Sequence, residues 1–122
     1  MYSGHTDRVY SLAELKDGTL ASGSWDYSIR IWNQNNGSLI KTLLGHTDRV
    51  YSLAVLNDSS LVSGSGDTTI RVWNITTGLC IRILRGHSDW VYSLAILPNN
   101  RLSSGSGTDD LGEIKIWNMN DG

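Results

Sequence analysis

Gly45-His46-Thr47-Asp48-Arg49-Val50-Tyr51-Ser52-Leu53-Ala54 is present twice, letter for letter, because the same ten residues run from Gly4 to Ala13. A near copy follows at Gly86-His87-Ser88-Asp89-Trp90-Val91-Tyr92-Ser93-Leu94-Ala95. His5, His46 and His87 are each 41 residues apart. A fixed period of this size marks a repeat architecture, in which each unit buries its apolar face on its neighbour. The repeats span 4–44, 45–85 and 86–122, within one region covering 1–122.

Working outward from the decamer, each repeat gives the same strand signals. The first is Val9-Tyr10-Ser11-Leu12-Ala13, then a polar turn, then Leu20-Ala21-Ser22-Gly23-Ser24. A tight turn carrying Asp26 or Asp67 leads to Ile29-Arg30-Ile31-Trp32, Ile70-Arg71-Val72-Trp73 and, in the third repeat, Ile114-Lys115-Ile116-Trp117. After the Trp comes a turn and a fourth apolar run, Ser38 to Leu44 and Leu79 to Arg85. Short runs of β-branched and aromatic residues bounded by Gly, Asp and Asn are the strand signature, at the spacing of an all-β protein. No stretch sustains the i, i+3, i+4, i+7 apolar pattern of a helix.

Gly-His near the start, Ser-Gly-Ser, an Asp six residues before the Trp and Ile-Arg-[Ile/Val]-Trp at the end resemble WD40 repeats, and the resemblance covers essentially the whole chain. It implies all-β, propeller-type blades of four antiparallel strands each. Two departures are visible. The closing dipeptide is Trp-Asn (Trp32-Asn33, Trp73-Asn74, Trp117-Asn118), where Asn opens the next turn as Asp would, and there is no Phe. Leu15, Leu56, Leu97, Val55 and Ile96 are expected to supply the apolar bulk instead. The third repeat stops before its fourth strand, and three blades fall below the 4–8 of a closed propeller. Two readings stay open: a piece of a longer propeller, or copies that assemble head to tail into a homo-oligomeric ring.

The third repeat is also longer. Trp73 to Trp117 is 44 residues, and the surplus falls in Thr108-Asp109-Asp110-Leu111-Gly112. Asp109 or Asp110 is expected to take the place of Asp26 and Asp67.

Composition narrows the function classes. A net charge of −2 gives no basic field for nucleic acid. No apolar run approaches a membrane span, and no signal sequence is visible at the N-terminus. Cys80 is the sole cysteine, so it has no internal disulfide partner and reads as an apolar filler. The default is a soluble, cytoplasmic protein. Three His spread 41 residues apart make no metal cluster. Ser-Gly-Ser-Gly at Ser63 to Gly66 lacks the Lys of a phosphate loop. Neither metal nor cofactor is expected.

His5, Ser22 and Asp26 look like a catalytic trio, as do His46, Ser63 and Asp67, yet a catalytic site is built once and not per repeat. The family resemblance implies a structural hydrogen-bond network instead: Trp32-Ser22-His5-Asp26, Trp73-Ser63-His46-Asp67 and Trp117-Ser104-His87 with its acid. It also implies a non-catalytic scaffold whose channel-mouth face docks a protein or peptide. The positions carried over are Arg8 and Tyr10, Arg49 and Tyr51, Trp90 and Tyr92, and Trp25. Arg, Tyr and Trp dominate interface hot spots. Each Tyr also admits a packing role between blades, and Arg8 with Arg49 admits a narrower function, reading a phosphorylated motif.

Overall fold

The computed structural model describes residues 4–57, 59–107 and 112–119. Its eleven strands form three antiparallel sheets, and no helix is present among the described residues. The first sheet is β1 (Val9–Glu14), β2 (Leu20–Ser24), β3 (Ile29–Trp32) and β4 (Leu39–Leu43) in sequential order. The second repeats it with β5 (Val50–Asn57), β6 (Ser60–Ser65), β7 (Ile70–Asn74) and β8 (Cys80–Leu84). The third holds β9 (Val91–Leu97), β10 (Arg101–Gly107) and β11 (Gly112–Asn118), and lacks an outer strand among the described residues. These are three blades of a partial propeller.

The blades stack through two apolar cores. Ala21, Ile29, Ile31 and Leu43 of the first blade pack with Val50, Leu53, Leu61 and Trp73 of the second. Val62, Ile70, Val72 and Leu84 of the second pack with Val91 and Leu102 of the third. Alternation along each strand produces this: every second residue points at the neighbouring blade. The approach is close. A Cβ on Gly23 would stand 2.7 Å from Val50 Cγ1, and one on Gly64 would stand 2.7 Å from Val91 Cγ1. Only a residue without a side chain lets the sheets come this near.

The Trp-Asn ending works as its chemistry predicts. Asn33 Oδ1 accepts the Asn35 N–H at 2.8 Å, and Asn74 Oδ1 accepts the N–H of Thr76 at 2.9 Å. Each is an Asx turn. Leu15 is fully buried, as the missing Phe requires, but Ile96 is 38% exposed and does not contribute to the core. Ile96 pairs with the buried Leu102 and so shares the face turned to the second blade, yet it stays outside the cluster packed there.

Candidate functional site

Each inner strand carries a bulge, and each bulge falls on a Tyr. Pairing skips from Val9 to Ser11 and from Val50 to Ser52, and across β9–β10 it skips from Val91 to Ser93. Tyr10, Tyr51 and Tyr92 are therefore the unpaired residues. A bulge bends its strand and re-aims the side chain it carries. Here it leaves Val50 and Val91 free to enter the interblade cores and turns the Tyr rings towards one another.

The rings form a continuous ladder across three blades. Tyr10 stacks on Trp25 at 5.8 Å between centroids and meets Tyr51 edge-on at 5.3 Å. Tyr51 stacks on Trp90 at 5.8 Å and lies 5.2 Å from Tyr92. Trp90 and Tyr92 meet edge-on at 5.9 Å. Such offset and edge-on contacts suit the quadrupoles of the rings. At one end the Arg8 and Arg49 guanidiniums both lie against the Trp25 ring, at 4.7 and 4.0 Å from its centroid. All seven residues singled out in the sequence thus touch in one cluster. Their exposure differs: Tyr51 is 6% exposed and acts as a buried buttress, whereas Trp90, Tyr92 and Tyr10 remain open to solvent.

Trp25 is held by its backbone. Its N–H donates to the Arg8 carbonyl at 2.9 Å, as Gly66 and Gly107 donate to Arg49 and Trp90 in the next blades. The turn therefore forms with or without a side chain. Trp25 Nε1 is buried and has no hydrogen-bond partner among the described residues. A buried donor left unmet costs about 1–3 kcal/mol. Neither Arg8 nor Arg49 makes an ion pair among the described residues.

Behind the ladder, each blade contains a four-member relay. In the second blade the Trp73 indole N–H donates to Ser63 Oγ at 2.8 Å, Ser63 Oγ lies 2.6 Å from His46 Nε2, and His46 Nδ1 lies 2.7 Å from Asp67 Oδ2. The first blade repeats this with Trp32, Ser22, His5 and Asp26. The donors balance with the proton on Nδ1: Trp gives to Ser, Ser gives to His, His gives to Asp. Burial pushes the Asp67 carboxyl up, but the hydrogen bonds from His46 and from the Thr69 hydroxyl and N–H outweigh it and hold the group well below the usual carboxylate range. Asp26 behaves alike, with burial opposed by Ser28, His5 and the Thr6 N–H. A serine that already accepts an indole proton and spends its own on a buried imidazole is locked in place and poorly set up as a nucleophile.

The third blade differs from the other two in its acid among the described residues. Asp109 and Asp110 lie outside the described residues, and the acid on His87 is Glu113, whose Oε1 lies 2.8 Å from Nδ1. Trp117 and Ser104 complete that relay at 2.8 and 2.6 Å. Glu113 stands four residues before its Trp, where the other blades have Ser28 and Thr69. One further methylene lets a carboxylate reach the imidazole from that strand position. Its side chain is 48% exposed, against 8% for Asp26 and Asp67.

The sequence matches the profile described as "WD domain, G-beta repeat" over residues 1–33, 37–74 and 78–118. The chain belongs to the WD40-repeat family. Each WD40 match after the first opens just before the outer strand of one blade and closes at the end of the third strand of the next. Among solved structures, the WD40 blades resemble the structure of U3-55K with a TM-score of 0.86 at 30% identity. That likeness covers 98% of this chain and 36% of that one, so the chain spans about a third of U3-55K. They also resemble the computationally designed Ika4 protein, with a TM-score of 0.82 at 33% identity, over 98% of this chain and 71% of that one. No curated protein matches. WD40 repeats serve in general as non-catalytic protein-interaction scaffolds. Among the described residues no helix is long and apolar enough to cross a membrane, and no His, Cys, Asp and Glu cluster is set to hold a metal.

Proposed function

We propose that this WD40 chain docks a protein or peptide on the ladder of Trp25, Tyr10, Tyr51, Tyr92 and Trp90. The observation that supports it most is continuity: three bulges in three blades aim their rings into one strip. Trp90 at 39% and Tyr92 at 40% exposure offer rigid apolar area at small entropic cost.

A narrower reading concerns the charge of that partner. Arg8 and Arg49 lie against Trp25 and leave their N–H forks without an ion pair among the described residues. Two such forks suit a carboxylate or phosphate group. One selection tests both. A synthetic peptide pool, half of it phosphoserine-containing, is panned on the chain. Binders are expected to weaken at least tenfold on Trp25→Ala and on Trp90→Ala, and to be unchanged on Leu39→Ala of the outer strand. Binders indifferent to both Trp substitutions would overturn the ladder as the docking strip. Enrichment of phosphopeptides that vanishes in an Arg8→Ala/Arg49→Ala variant supports the anion reading, and equal enrichment of both halves removes it.

A further inference from the structure

The blade junction is built twice from the same parts. Val50 and Leu53 of the second blade press on Gly23 of the first, and Val91 of the third presses on Gly64 of the second. The two halves of that junction are also present uncovered. On the first blade Val9 is 50% and Leu12 62% exposed, while their counterparts Val50 and Leu53 are 0% and 8%. On the third blade Ile114 is 80% and Ile116 60% exposed, while Ile70 and Val72 are 0% and 3%. Apolar faces of this kind mark an interaction surface.

Two observations say what covers them. The uncovered face of the first blade comes from the stretch that is identical to the docked stretch of the second, so it carries the chemistry already seen to fit a blade. A recess of about 140 Å³ lined by His5, Val9, Leu12, Leu20, Ser22 and Trp32 lies on it. In the second blade the matching Leu53, Leu61 and Trp73 share a core with Ala21, Ile29 and Ile31 of the first. The other observation is Gly105. Its φ is not positive, and among the described residues a Cβ there would meet only Ser93 Cβ, at an ordinary 3.7 Å. Nothing among the described residues requires a glycine at this strand position, where glycine is costly. At the equivalent Gly23 and Gly64 the requirement is the incoming Val, whose Cγ1 would stand 2.7 Å from an added Cβ.

We propose that the first-blade face of one copy docks on the third-blade face of a second copy, with Val9 seated over Gly105, and that two copies close a six-bladed ring. Two heterologous contacts close such a pair under twofold symmetry, and six blades lie within the propeller range.

Light scattering on the full chain over a concentration series tests this. The expected species has twice the 13.4 kDa chain mass and does not grow further. Gly105→Val is expected to keep the unfolding midpoint of the dilute chain and to raise the dimer dissociation constant at least tenfold. Leu12→Asp and Ile114→Asp are each expected to be monomeric, and an equimolar mixture of the two to recover a two-chain species through the one intact junction. A monomeric parent chain, open-ended growth, a dimer indifferent to Gly105→Val, or a mixture that stays monomeric would each overturn the proposal. The ladder substitutions lie outside the Val9–Gly105 contact, so failure here is distinct from failure of peptide docking.

Discussion

Asp67 sits between two opposed effects. Burial favours its neutral form, and the hydrogen bonds from His46 and Thr69 favour its charge and prevail. The folded state therefore binds the proton less readily than the unfolded chain, whose Asp titrates near about 3.9. It follows that the stabilisation is fully present above about pH 4 and is lost as the pH falls through the lowered folded value. Asp67→Asn is expected to cost about 1–2 kcal/mol at pH 7, the scale of a weakened charge-assisted hydrogen bond. The gap to the parent chain should then narrow as the pH falls below 4. Urea unfolding at pH 7, 5, 4 and 3 checks both, and a gap constant over that range would contradict the account. At this scale the relays of the first two blades were legible in the sequence, since a buried indole N–H and imidazole need partners that recur at fixed spacing. Glu113 was not, because the position four residues before the Trp holds Ser28 and Thr69 in the other repeats, so no repeat signal marks an acid there.

At the scale of strands and sheets, spacing between blades is set by glycine. A Cβ on Gly64 would stand 2.7 Å from Val91 Cγ1 and 3.3 Å from the Val91 carbonyl oxygen, and the carbonyl belongs to backbone that cannot swing away. Gly64→Ala is expected to destabilise the fold by about 1–3 kcal/mol through overpacking, although alanine alone would favour a strand over glycine. Thermal or urea unfolding measures this, and a neutral result would mean that the sheets separate more easily than their contact implies. Strand positions were legible from alternation and turn residues. The bulges at Tyr10, Tyr51 and Tyr92 were not, because a bulge is a property of the pairing between two strands and leaves no mark of its own in either one.

For the whole molecule, the 41-residue period made the stacked order of blades legible before any coordinate. It left the joining of seven side chains into one strip unspoken, because that depends on how the blades turn about each other. Stacking has a further consequence. The middle blade is covered on both sides, and β6 is buried at every position while β1 is mostly open. In a stacked array, where each unit leans only on the next, opening starts at the flanks and moves inward. In dilute solution the backbone amides of β6 should then trade hydrogen for deuterium last, well after those of β1 and β11. Equal rates throughout would mean that all three blades open as one. A middle that outlasts its flanks would make this chain a clock whose innermost sheet keeps its protons longest.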